Sequence, residues 1–220
     1  MNLKIYQVDA FTERIFGGNP AAVIPLDKWL SDKKLQQIAE ENNLSETAYF
    51  VNYGNHYQLR WFTPECEVRL CGHATLASSH VLFHHLGYDR EEIEFSTKAG
   101  TLRVKRNDHS YSLRFPIEPL ETSELPSEAT NDLDMEIVEV QKGQDDYLIV
   151  LKNQFDVEHL RPEMFNLMYQ DIRGFIVTAP GNEVDFVSRC FFPNAGIPED
   201  PVTGSAHTLL IPYWAKELGK

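Results

Sequence analysis

The chain has 220 residues, 42% hydrophobic and 24% charged, enough apolar side chains for a core in one large domain or two small ones. Its formal net charge of -13 is spread along the whole length and repels phosphate backbones, which excludes nucleic acid as an expected partner. No apolar run approaches the ~20 residues that span a bilayer, so no membrane association is expected either.

The first stretch, MNLKIYQVDAF, alternates through Leu3, Ile5 and Val8 and reads as a strand over 3–10 rather than as a signal peptide. FGGNPAAV is turn chemistry leading into a short apolar strand, Ala21 to Ile24. Ser31 stands as a helix N-cap, with Leu30 and Leu35 in staple positions and Leu35, Ile38 and Ala39 on one face. That helix frays at ENN, and the β-branched and aromatic run Thr47 to Val51 is a strand, followed by another at Tyr57 to Phe62. Gly72 opens a helix through Leu86, with Gly87 placed as its C′ residue. Strands at 92–97 and 101–106 flank the turn KAG, and a third covers 110–115.

Glu118 to Asp134 is a connector by composition, rich in Glu, Ser, Thr and Pro. Strands then recur at 136–140, 147–151, 174–178 and 184–191, with a short helix near 162–168 and a last helix starting at Ser205. Strands dominate and the element order repeats, which predicts an α+β protein of two similar halves, 1–116 and 117–220.

The repeat is visible in detail. Phe62 and Pro64 align with Phe191 and Pro193; with three extra residues in the second copy, Gly72-His73-Ala74 falls over Gly204-Ser205-Ala206 and Cys71 over Thr203. Each copy runs strand, Phe-x-Pro, acidic loop, Gly, apolar helix. A glycine at a helix start permits close approach to N–H groups that lack internal acceptors, and the helix dipole there attracts anions. Two such ends are expected to hold a small carboxylate-bearing molecule. Glu46, in NLSETAYF at a helix-to-strand junction, would carry a raised pKa if partly removed from water and could pass a proton. The same residue also fits a solvated or capping carboxylate. His73 is the histidine within the repeated motif, and also fits a helix-start residue bonded to backbone. Asp200 serves either the site or its own loop through an Asx-turn. His84 and His85 read as surface or core fillers. CxxC, HExxH, Walker and GxGxxG patterns are absent, so no metal and no nucleotide cofactor is expected. Cys66, Cys71 and Cys190 form an odd set without metal spacing, as expected in a reducing cytosol, and the expected location is cytoplasmic.

Four stretches, DAFT…FGGNPAAV, NLSETAYFV, FTPECEVRLCGHATLA and EDPVTGSAHTLLIPYWAKELGK, resemble the PhzF family of phenazine-biosynthesis-like proteins in the family's order. The resemblance implies a diaminopimelate-epimerase-like fold, with two pseudo-symmetric halves that each curl a sheet around a central helix, the site between them, and a homodimeric habit. It implies Glu46 as catalytic acid/base, His73 and Asp200 as supporting polar residues, and Gly72, Gly204 and Ser205 as substrate-carboxylate positions. Family members that make phenazines isomerise trans-2,3-dihydro-3-hydroxyanthranilate without a cofactor. Epimerases of this fold use two cysteines, one before each helix-start glycine; here Cys71 and Thr203 hold those places. A threonine hydroxyl is too weakly acidic to serve as the second thiol base, and Cys71 reads as a small buried filler. The family pattern continues past the second helix with closing strands, so the expectation is a second half without its C-terminal strands and with an open sheet edge. The expected function is therefore a cofactor-independent isomerase, with an epimerase or racemase of the same fold, or a truncated non-catalytic anion-binding relative, as alternatives.

Overall fold

β-branched and aromatic runs build most of the chain's regular structure, as seen in a computed structural model that describes all residues except 1, 15, 109, 127–128, 130–134 and 163–172. The chain divides into two units, Met1–Phe115 and Pro116–Lys220. Among the described residues no helix is long and apolar enough to cross a membrane.

In the first unit, β1 (Tyr6–Ala10), β2 (Asn19–Leu26), β3 (Glu46–Asn52), β4 (Tyr57–Phe62), β6 (Glu92–Thr97), β7 (Gly100–Arg106) and β8 (Tyr111–Arg114) form one sheet in the order β1-β2-β3-β4-β6-β7-β8, with β5 (Glu67–Val68) paired on β4. The two parallel steps, β2 to β3 and β4 to β6, each require a crossover. Helices α1 (Asp32–Asn42) and α2 (Gly72–His85) supply them. Helix α2 contacts β1, β2, β3 and also β8. Strands β1 and β8 are the two ends of the sheet, which in a flat sheet would lie roughly 29 Å apart, far beyond the ~10 Å width of a helix. The sheet therefore curls around α2.

A helix wrapped by a sheet must be apolar or self-satisfied on every side. Ala74, Ala77, Val81, Leu82 and Phe83 are buried. The hydroxyls of Ser78 and Ser79 donate to the carbonyls of Ala74 (2.7 Å) and Thr75 (2.8 Å), and Thr75 donates to Cys71, so these polar side chains enter the core satisfied. Trp61, Phe95, Leu59 and Ile93 complete that core. Leu35 and Ala39 of α1 pack a second cluster against Ile24, Tyr49 and Phe62, and the Tyr49 hydroxyl donates to the Leu35 carbonyl at 2.7 Å.

Ser31 is the N-cap of α1 as expected, but its side chain makes no cap bond; its carbonyl accepts from the N–H of Leu35 at 3.0 Å. Gly18 takes φ 67°, and a Cβ there would lie 2.0 Å from the Ala10 carbonyl oxygen, so the FGGNP turn folds back on the end of β1 only with glycine. Gly87 has φ 69° just past α2, in keeping with its C′ assignment. Strand β5 lies in what the sequence suggests is an acidic loop. Glu67 is fixed there by a two-pronged ion pair with Arg60 (2.8 Å and 2.8 Å).

The second unit is a sheet in the order β14-β13-β12-β11-β10-β9, made of β9 (Glu121–Thr122), β10 (Ile137–Lys142), β11 (Asp146–Leu151), β12 (Gly174–Pro180), β13 (Phe186–Phe192) and β14 (Ile197–Asp200). Among the described residues of this sheet only β11 and β12 run parallel. One face carries Tyr147, Ile149, Leu151, Phe175, Val177 and Phe191, packed with Val157 of α3 (Gln154–His159) and with Leu160. The other face meets α4 (His207–Leu218). Trp214 Nε1 donates to Thr178 Oγ1 at 3.0 Å, its ring stacks on Phe186, and the Tyr213 hydroxyl donates to Glu139 at 2.9 Å.

Helix α3 falls where sequence reading placed nothing; the Asn153 side chain caps it by accepting from the N–H of Asp156 at 3.0 Å. The helix expected near 162–168 lies, from 163 onward, outside the described residues. The last helix begins at His207, two residues later than expected from Ser205. The N–H groups of His207, Thr208 and Leu209 bond three residues back, to Gly204, Ser205 and Ala206, so a tighter turn leads into the α-helix.

Candidate functional site

Helix α1 ends on Asn43, which takes the left-handed φ of 48° and turns the chain into β3. Glu46 heads that strand, opposite Ala21 of the parallel β2. Both its neighbours are pinned: Ser45 Oγ donates to Asn19 Oδ1 at 3.1 Å, and Asn42 Nδ2 donates to Thr47 Oγ1 at 3.1 Å. The Glu46 side chain is thereby held at the buried edge of the core, 9% exposed. A carboxyl in that position is partly desolvated, one of the two readings that the sequence left open beside a solvated or capping carboxylate.

His73 sits in the first turn of α2, 2% exposed. Its Nε2 lies 3.3 Å from Glu46 Oε2, a close contact that lacks the alignment of a hydrogen bond. Burial pushes the imidazole down to about 4, and a hydrogen bond to the Pro20 carbonyl only partly opposes that. At neutral pH His73 is therefore an uncharged imidazole beside a carboxyl group. Gly72 is buried at the head of the same helix, and no acidic side chain occupies the first turn of α2 to neutralise its positive end.

Cys71, the N-cap of α2, is buried as expected of a filler, but it is more than that. Its Sγ lies 3.5 Å from His73 Nδ1. Glu46, Cys71 and His73 each present a ligand-type atom, and the three lie within 4.8 Å of one another. The available signal was the Cys-x-His spacing across a helix start, which places both side chains on the same open turn.

In the second unit Asp200 ends β14 opposite Cys190, and the Thr203 hydroxyl donates to Asp200 Oδ2 at 2.6 Å. Asp200 thus organises its loop through a side-chain hydroxyl. The Cys190 thiol is pushed up to about 12, chiefly by burial and with the Asp200 and Asp146 charges adding to it, while its bond with Thr203 pulls down. It is an inert thiol at neutral pH. Gly204 and the buried Ser205 form the tight turn before α4, their carbonyls accepting from His207 (3.3 Å) and Thr208 (3.0 Å). Glu46, Gly72 and His73 come together in the first unit; Asp200, Gly204 and Ser205 share one loop of the second.

A family model described as phenazine biosynthesis-like protein, PhzC-PhzF, matches residues 8–220. A Pseudomonas aeruginosa protein named as an uncharacterized isomerase is 50% identical over 220 residues, covering 100% of this chain and 85% of its own. Among solved structures, a PhzF-family phenazine biosynthesis protein of Enterococcus faecalis superposes with a TM-score of 0.87 at 48% identity, over 100% of this chain and 85% of that one. A probable proline racemase of Agrobacterium radiobacter, crystallised with carbonate, shares the fold alone: TM-score 0.64 at 10% identity, over 100% of this chain and 78% of that one.

Proposed function

The chain belongs to the PhzC-PhzF family of phenazine biosynthesis-like proteins, and on that premise we propose that it is a cofactor-independent isomerase that moves a proton between two carbons of a small carboxylate-bearing substrate. Glu46 is the acid/base. The observation that carries this reading is the buried contact of Glu46 with an uncharged His73, 3.3 Å apart. Because burial disfavours the imidazolium, His73 is a poor proton store, and the proton-carrying role falls to the carboxyl beside it. The Glu46 carboxylate takes a proton from one substrate carbon, the released electron pair shifts through the adjoining double bond, and the Glu46 acid returns the proton at the far end. Proton and electron pair are both conserved, so no redox partner is needed. Help of this kind is worth roughly 10²–10⁴-fold. Gly72, at the α2 start, and the Gly204–Ser205 turn supply the groups that attract the substrate carboxylate in their respective units, and Asp200, held by Thr203, is a supporting polar residue.

A second reading, an epimerase or racemase, draws on Cys71 Sγ lying 3.5 Å from His73 Nδ1. It requires a second base, and Thr203 stands where the repeat would put that thiol. One experiment separates the two. The protein is incubated in heavy water with trans-2,3-dihydro-3-hydroxyanthranilate and, in parallel, with chiral amino acids. Deuterium entering at a new ring position, lost in Glu46→Gln, is the expected result. Deuterium at an existing stereocentre, lost in Cys71→Ser, would favour the second reading. Turnover retained in Glu46→Gln overturns the first.

A further inference from the structure

We propose that Glu46, Cys71 and His73 form a binding site for one soft divalent cation of the Zn2+ class, and that its occupancy switches off proton transfer at Glu46. The three donors are a carboxylate oxygen, a thiol sulfur and an imidazole nitrogen, all three residues are buried, and their ligand atoms lie within 4.8 Å of one another. In a tetrahedral zinc site the bond lengths of about 2.0–2.3 Å set ligand atoms roughly 3.3–3.6 Å apart. The 3.3 Å from His73 Nε2 to Glu46 Oε2 is already of that size, whereas Cys71 Sγ lies 3.5 Å from the other ring nitrogen, Nδ1. One ion takes only one imidazole nitrogen; with Nδ1 on the Pro20 carbonyl the ion falls on Nε2, so closing the site requires Cys71 to move toward that nitrogen by on the order of an ångström.

Two further features fit a cation. His73 is hydrogen-bonded to the Pro20 carbonyl; metal-bound histidines are commonly oriented in this way, one ring N–H on a backbone carbonyl and the other nitrogen on the ion. Thiolate and carboxylate together carry two negative charges, matching a divalent ion in a site where burial strengthens the attraction. On binding, the Cys71 thiol gives its proton to the buffer and the sulfur lone pair bonds the metal; nothing is oxidised or reduced. Three protein ligands leave a fourth position for water or a substrate carboxylate. A histidine pair on the outer part of α2 is the competing site, since His80 and His84 both approach the Tyr111 hydroxyl (3.2 Å and 2.8 Å).

The test uses the full chain, freed of metal with a chelator, titrated with Co2+ as a spectroscopic substitute and then with Zn2+. One equivalent should bind with a thiolate-to-cobalt charge-transfer band and tetrahedral visible bands. These should vanish in Cys71→Ser and survive in the His80→Ala/His84→Ala double variant. Absence of the charge-transfer band, its persistence in Cys71→Ser, or its loss with the outer histidines overturns the site. Should Cys71→Ser fail to fold, the isosteric Glu46→Gln carries the test: Zn2+ affinity falls about tenfold or more if Glu46 is a ligand, and equal affinity overturns it. The switch rests on the isomerase reading: Zn2+ at ten times its Kd should slow turnover about tenfold, reversed by chelator. Undiminished turnover with metal bound refutes the switch alone. Metal binding without any turnover in the metal-free protein removes the isomerase reading and the switch with it, and leaves the cation site supported.

Discussion

Acidification should destabilise the protein through His73. Its imidazole has an ordinary value of 6.5 and is pushed down to about 4 in the fold, chiefly by burial. A histidine depressed in this way binds its proton more readily when the chain is unfolded. Its contribution to stability is therefore complete above about pH 6.5, falls as pH drops, and is exhausted only below about pH 4, where both states become protonated. The full difference of about 2.5 pH units corresponds to about 3 kcal/mol, of which about 2 kcal/mol is lost between about pH 7 and pH 5. The assay is urea unfolding at several pH values on the protein and on His73→Gln, read as the difference of the two slopes, so that carboxylates common to both cancel. The variant should lose the His73 part of the acid sensitivity. Parallel slopes would refute the reasoning. A reversed difference, with the parent protein gaining stability on acidification relative to the variant, would mean that the Glu46 carboxylate at 3.3 Å outweighs burial and holds His73 charged.

Other perturbations give independent checks. Gly18→Ala places a methyl 2.0 Å from the Ala10 carbonyl in a left-handed backbone, and should cost about 1–3 kcal/mol in urea unfolding. Leu82→Ala empties space in the core around α2, where Leu82 is 1% exposed; a loss of about 2–5 kcal/mol is expected by the same measurement. Trp214→Phe keeps the stacking on Phe186 but removes the 3.0 Å bond to Thr178, and should lower stability by about 1 kcal/mol in thermal melts. Thr203→Val removes the hydroxyl that holds Asp200. Under the isomerase reading it should lower kcat in steady-state kinetics, while its cost in stability stays near about 1 kcal/mol.

The long elements were legible because their signals are local. The alternation of Tyr57–Phe62 matches β4 in full, and Glu92–Thr97 matches β6. The glycine at the head of α2 and the one after its end are where turn chemistry puts them. The short elements were not legible. Strands β5, β9 and β14 are two to four residues long, too short to show an alternating pattern, and each exists because a neighbouring strand (β4, β10 and β13) offers unpaired N–H and C=O groups. Helix α3 carries one buried side chain, Val157, too few to mark a periodic face, although Asn153 was a readable cap. The delayed start of α4 follows from tight three-residue bonds at Gly204–Ala206 that apolar patterning does not encode.

For the site, sequence alone determined which residue types stand at which turns: Glu46 at a helix-to-strand junction, His73 after a helix-start glycine, Asp200 and Ser205 around the second copy of that motif. It did so because caps, turn residues and repeats depend on neighbours in the chain. Only the tertiary structure decided that Glu46 lies 3.3 Å from His73, that burial holds this histidine uncharged, and that Cys71 joins them instead of merely filling space. Those properties arise when β3 and α2, far apart along the chain, exclude water from the same place. Desolvation and close approach belong to the assembled core, and a charge state set by lost solvent cannot be read from residues that have not yet lost it.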